Sequence, residues 1–261
     1  MDYAVVCAVA LLVSGLTLFS GFGLGTLLLP AFAVFFPVPL AVAATAVVHL
    51  ANNAFKVALV GRDADPGVVL RFGLPATVAA FAGAALLNLF AALPPLATYE
   101  LAGGAHEVTP AKLTIAVLMV VFALFELVPQ LARLGVDRRW LALGGLLSGF
   151  FGGLSGHQGA LRSAFLIKTG LGKQAFVGTG AVCATGVDVA RLAVYGAGLY
   201  RGHFIALGGR VGGLVAAASV AAFLGSFLGA RLLAAVTLRF VQLVVGAMLV
   251  LVAVLLGTGL V

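Results

Sequence analysis

Charge is scarce in this sequence: 9% of its 261 residues are Asp, Glu, Lys or Arg, against roughly 25% in ordinary soluble domains. That shortage excludes a chain kept in water by a charged surface, and the 63% hydrophobic content points to lipid instead. Cysteine is nearly missing as well. Cys7 and Cys183 lie far apart in apolar segments, which leaves no disulfide framework and no cysteine metal site. HExxH, GxSxG and Walker A motifs are absent, as are clustered carboxylates within an apolar run. The usual signs of an enzyme, or of a chain that hydrolyses its own ATP, are therefore missing. Neither a cofactor nor a metal is required.

What is present is a series of apolar runs, each long enough for the ~20 residues that an α-helical span needs. They cover about 3–36, 38–60, 69–93, 111–131, 139–169, 173–199, 203–232 and 237–258. A β-barrel would instead show short alternating segments. The reading is an all-α integral membrane protein. The net charge of +7 is no sign of nucleic acid, because most Lys and Arg fall between apolar segments, where they orient a chain in its membrane. The first 20 residues open with Asp2 rather than a basic region, so they read as part of the mature protein and not as a signal peptide. One sizeable polar loop is expected, at about 94–110.

The two halves resemble each other across a basic break from Arg133 to Arg139. LFSGFGLG (18–25) corresponds to GLSGHQGA (153–160), and VAAF recurs at 78–81 and 220–223, followed in each case by Gly83 or Gly225. Thr45 corresponds to Thr179 and Lys56 to Arg191, allowing a one-residue gap. The shared order implies an internal duplication, with repeats 1–131 and 132–261 forming one membrane domain. The first segment of each half is too long for one ordinary span and carries glycines at its middle. It is either one long tilted helix or a re-entrant hairpin whose tip lies inside protein. Loop charges favour hairpins. With them, nine basic residues flank the cytoplasmic side (Arg62, Arg71, Arg133, Arg138, Arg139, Lys168, Lys173, Arg231 and Arg239) against Lys112 and Arg201 outside, with Arg210 set aside as intramembrane; single crossings give six against five. A hairpin plus three transmembrane helices is an odd number of passes, so the repeats are inverted, with both termini outside. The loops near Arg62, Arg138, Lys173 and Thr237 then lie in the cytoplasm. Inverted repeats with paired broken segments are a recurring plan of secondary transporters.

Chemistry should concentrate at the tips. Ser20, Gly21, Gly23 and Gly25 mark the first, and Ser155, Gly156, His157 and Gln158 the second. Each leads into a short helix whose N–H groups would favour an anion. The competing role for these glycines is close helix packing. Arg162, one turn past the second tip, keeps its charge and can grip an oxyanion with two parallel hydrogen bonds; its alternative is an ion pair with Asp188. His157 and Gln158 fit the same pocket as donors, and His157 could also take up a proton. On 38–60, Thr45, His49, Asn52, Asn53 and Lys56 share one helical face, while Thr185, Asp188, Arg191 and Tyr195 do so on the counterpart helix. Such stripes line either an aqueous path or a polar seam. The substrate-binding candidates are thus Ser20, Gly21, Gly23, Gly25, Thr45, Asn52, Ser155, Gly156, His157, Gln158, Arg162 and Thr179. His49, Lys56, Asp188 and Arg191 are candidates for coupling or ion pairing. Glu126 stands isolated.

SGLTLFSGFGLGTLLLPAF (14–32), followed by Pro39 and an Ala/Thr-rich helix start at 41–45, resembles the first repeat signature of the TauE/SafE sulfite-exporter family. LLSGFFGGLSG (146–156), after the basic loop, is similar to the start of its second repeat. The resemblance implies a multi-pass transporter of the bacterial plasma membrane, with sulfite or an organic sulfonate as substrate. The glycines at 21, 23 and 25, Pro30 and the 152–156 region match signature positions. The second repeat departs from the family pattern at HQGALRSAF (157–165), where a glycine triplet and a proline are usual. The function expected is that of a secondary carrier or exporter of a small anion, with an anion channel or a non-transporting scaffold as alternatives. Its partners are the substrate anion, the lipid bilayer and, as a homodimer, a second copy of the chain.

Overall fold

In the computed structural model, which describes residues 2–20, 24–101, 103–128, 130, 135–198, 200–232 and 238–260, the apolar runs are helices. Gly21, Gly23, Arg133 and Thr237 lie outside the described residues, as do the side chains of Ser20, Arg201, Arg210 and Arg231. The helices are α1 (Asp2–Ser20), α2 (Leu24–Ala33), α3 (Val38–Val60), α4 (Pro66–Ala91), α5 (Pro110–Leu127), α6 (Leu141–Ser155), α7 (Gly159–Leu166), α8 (Lys173–Gly198), α9 (Tyr200–Leu232) and α10 (Leu238–Gly257).

Local chemistry sets the helix ends. The Asp65 carboxylate accepts the Val68 N–H at 2.8 Å and Pro66 opens α4; Thr109 and Pro110 do the same for α5. A side-chain acceptor followed by proline satisfies one free N–H and needs one fewer. Pro75 lacks an N–H and crowds the carbonyl four residues back. The chain absorbs this with a wider π turn at Val69–Gly73.

The stretch expected as a polar loop, 94–110, is partly ordered as a β-hairpin, a correction to the sequence reading. Strands β1 (Ala97–Leu101) and β2 (Gly104–Val108) pair antiparallel with Tyr99 opposite His106, and the two rings stack at 5.5 Å. The Tyr99 hydroxyl donates to the Thr258 carbonyl, pinning the hairpin to the end of α10. Strands this short, beside PP and GG, carry too little alternation to announce themselves.

Five helices among the described residues are long and apolar enough to cross a bilayer: 38–63, 66–91, 110–127, 173–197 and 211–228. Their outer faces are leucine, valine and phenylalanine, with Leu70, Val78, Leu124 and Phe227 exposed, while Asp188, Arg191 and Asn52 are buried. Lipid, not water, suits such an exterior. The protein is a multi-pass α-helical membrane protein.

Helix α6 packs most extensively on α4, α1 on α9, and α10 on α5, while α8 lies against both α3 and α4. Bilayer lipid is as apolar as leucine, so these helices must gain from close fit. Gly145, Gly149 and Gly153, one turn apart on α6, provide it. A Cβ at each would stand 2.2, 1.9 and 2.2 Å from the carbonyl oxygens of Phe72, Ala76 and Ala80 on α4. The backbones touch there. Gly83 lies likewise against the Phe150 carbonyl, and Gly225 on α9 against that of Leu11 on α1, each with 2.0 Å for a Cβ.

Helices α6 and α7 form a hairpin. The chain turns at Gly156, whose φ of 83° is easy only for glycine. Ser148 donates to the Gln158 carbonyl at 2.9 Å, and the Val136 N–H to the Ala164 carbonyl at 3.0 Å. Gly144 leaves room for the Phe165 ring. Helix α7 therefore runs back along α6. At about 1.5 Å per residue, neither arm is long enough to cross a bilayer alone.

Candidate functional site

Asp188 and Arg191, three residues apart on α8, share a helical face, and both are fully buried. A carboxylate taken out of water costs several kcal/mol unless it is paired and hydrogen-bonded. Here Oδ1 accepts from Arg191 Nε at 3.0 Å, from Arg191 Nη2 at 2.7 Å and from Gln158 Nε2 at 3.3 Å. Oδ2 meets His49 Nδ1 at 2.7 Å and accepts from Asn53 Nδ2 at 3.1 Å. One carboxylate thus ties α3, α8 and the second tip together. An ionised carboxylate only accepts, so the proton in the His49 contact sits on Nδ1.

The guanidinium of Arg191 also reaches the Gly152 carbonyl at 3.4 Å and lies against the tip, where a Cβ on Gly156 would come 2.8 Å from Nη1. Gly156 is required twice over, for its φ and for this space. The start of α2 approaches the same point: a Cβ on Gly25 would lie 3.4 Å from the Gly156 oxygen and 3.5 Å from the His49 ring. Gly25 and Gly156, one from each glycine-rich segment, meet beside the Asp188 cluster.

A small cavity opens next to it, lined by Asn53, Lys56, Arg162, Ser163, Phe176 and Gly180 among others, with a volume of about 10 Å³, room for roughly one water molecule. Lys56 and Arg162 are both buried, and no carboxylate is among the lining residues. Arg162 lies against Gly180 of α8, where a Cβ would be 3.4 Å from Nε. Gln158 connects the two features: its Oε1 accepts from Arg162 Nη1 at 3.5 Å while its Nε2 donates to Asp188. Asn53 connects them as well, lining the cavity and bonding to Asp188.

Of the residues singled out from the sequence, Gly25, His49, Gly156, Gln158, Asp188 and Arg191 gather at the junction, and Lys56 and Arg162 at the cavity. The pairing of Asp188 falls to Arg191 and His49. His157 turns the other way, stacking on Phe122 of α5 at 5.3 Å with a 9° interplanar angle. The Ser155 hydroxyl donates to the Phe151 carbonyl, so its oxygen accepts from His157 Nδ1 at 3.1 Å; Nε2, buried without a partner among the described residues, is left as an acceptor rather than the donor expected. Thr179 accepts from the Asp65 N–H at 2.9 Å and steadies the link between α3 and α4. Asn52 accepts from Ser14 of α1 and Ser226 of α9. Thr45 is buried, and its hydroxyl has no hydrogen-bond partner among the described residues. Asn53, Ser14, Ser148, Ser163 and Ser226 escaped the list of sequence candidates. A serine in a membrane helix is common, and the polar stripe on 38–60 gives no reason to prefer Asn53 over Asn52.

An apolar exterior around a buried constellation of charges and amides defines a polytopic membrane protein with an intramembrane polar site. The chain belongs to the sulfite exporter TauE/SafE family, whose model matches residues 6–256. That is a family of membrane transporters rather than enzymes. No curated protein and no solved structure matches the chain.

Proposed function

We propose that the protein is a secondary carrier that moves sulfite, or a small organic sulfonate, across a bacterial plasma membrane. The observation that carries this reading is the cavity shared by Lys56 and Arg162, with Asn53 and Ser163 as neutral hydrogen-bonding partners and no acid among its lining residues. A planar guanidinium and an ammonium converging on one small space suit an oxyanion. The Asp188–Arg191 pair lies outside the cavity lining, with each charge answered by the other.

The cavity is too small for sulfite, so loading requires the α6–α7 hairpin or its neighbours to move, as alternating access requires. Two helix pairings support an inverted duplication with repeats 1–131 and 132–261: α1 packs on α9 as α6 packs on α4, and Gly225 meets the Leu11 carbonyl as Gly83 meets that of Phe150. In this reading both hairpins are re-entrant, both termini lie outside, and the loops at Arg62, Arg138 and Lys173 face the cytoplasm.

Counterflow tests the mechanism. Proteoliposomes preloaded with unlabelled sulfite should accumulate labelled sulfite transiently above equilibrium. A channel would equilibrate the label without overshoot, and a scaffold would not admit it.

A further inference from the structure

We infer that His49 is a proton-binding site whose occupancy is coupled to the anion, so that proton and anion bind together. This rests on the anion-carrier reading above. The 2.7 Å contact with Asp188 Oδ2 holds a hydrogen on Nδ1, leaving Nε2 as the nitrogen that gains and loses a second one. With His49 neutral, the Asp188 and Arg191 charges cancel. With Nε2 protonated, the cluster carries one net positive charge.

That charge appears beside the cavity. Asn53 touches His49 Nδ1 at 3.0 Å and Asp188 at 3.1 Å while lining the space between Lys56 and Arg162. The charged groups facing His49 are Asp188 and Arg191 from α8 and Arg162 from α7; Lys56 lies two turns further along α3. Helices α2 and α9 bring no ionisable side chain to this face among the described residues. Helices α4 and α5, which touch α3 less, carry Arg71, Lys112 and Glu126. An anion held between Lys56 and Arg162 attracts the added proton, and the added proton attracts the anion. Each ligand then strengthens the other by the same factor. The proton comes from water, bonds to Nε2, and returns to water when the anion leaves. His49 also sits where the Gly25 and Gly156 backbones approach, the point at which hairpin movement would expose it.

The test uses purified full-length protein and sulfate, which stays dianionic around neutral pH, so any titration belongs to the protein. Calorimetry in buffers of different ionisation enthalpy counts protons taken up per sulfate bound. Wild-type protein should take up a proton, with affinity rising by up to about tenfold per unit of falling pH at the steepest point. His49→Gln should bind sulfate with no uptake and a flat pH profile. Sulfate binding without proton uptake by the wild type, or uptake retained in His49→Gln, overturns the proposal while leaving the anion site intact. Uptake lost in His157→Gln and kept in His49→Gln overturns it too, by moving the proton to the other histidine. Failure of sulfate, sulfite and ethanesulfonate alike to bind removes both readings. Should His49→Gln not fold, carbon-13-labelled histidine in wild-type protein serves instead: one ring should become imidazolium as sulfate is added near neutral pH, and none doing so defeats the proposal.

Discussion

Helix α6 meets its neighbours in two opposite ways. Along its length against α4 it presents Gly145, Gly149 and Gly153, and the contact is backbone on backbone with no side chain between. At its end, where the tip meets α8, polar contacts hold it: Gly152 and Gly153 offer carbonyls to Arg191 and Tyr195, and Gln158 reaches Asp188. The seam has one arrangement, because nothing in it can change partner. The tip holds its place through hydrogen bonds that can be exchanged for others. A rigid seam beside an exchangeable junction is what a hairpin needs if it is to move without coming apart.

The sharpest way to break this contrast is to put a side chain in the seam. Gly149→Leu must displace the Ala76 carbonyl, and overpacking of this kind costs roughly 3 kcal/mol or more. We expect no monodisperse protein by size exclusion. Gly172→Ala, with nothing within 4 Å, should shift stability by at most about 0.5 kcal/mol. A well-folded Gly149→Leu protein would mean that the seam is not close-packed.

Next in size is the junction's own pair. Asp188→Asn leaves the Arg191 guanidinium buried without its carboxylate, which should cost about 3–5 kcal/mol. Adding Arg191→Leu should recover part of that loss, because both charges are then gone. Denaturant unfolding in detergent measures both variants. A double variant no more stable than Asp188→Asn would show that the two residues do not answer each other.

Smaller still is the Asn52 contact that ties α3 to α1 and α9. Ser226→Ala removes one hydroxyl donor and should cost about 1 kcal/mol. Sulfite affinity should stay unchanged, since Asn52 and Ser226 are absent from the cavity lining. Altered affinity would place this contact in the transport path.

The membrane class and most helices were legible in the sequence, because long apolar runs are strong signals. The β-hairpin at 97–108 was not, its strands being too short for periodicity. Arg162, Gln158 and Lys56 stood out because charge and amide in lipid are costly. The roles of the glycines stayed hidden. LLSGFFGGLSG reads as one glycine-rich motif, yet Gly149 serves the seam, Gly152 accepts a hydrogen bond from Arg191, and Gly156 makes the turn. Only the helix partners tell them apart. His157 misled for a related reason: proximity in sequence to Gln158 and Arg162 does not put it on their face, and it stacks on α5 instead.

Isothermal titration of sulfite into wild-type and Arg162→Ala protein tests the anion site most directly. Truncating one partner of a buried charge-assisted contact should weaken binding by roughly 2–5 kcal/mol. Wild type should bind, and Arg162→Ala should remain folded while losing at least about tenfold in affinity. Arg162→Lys should fall between them, because an ammonium keeps the charge and loses the planar fork. Unchanged affinity in a folded Arg162→Ala protein would contradict the assignment and remove Arg162 from the site.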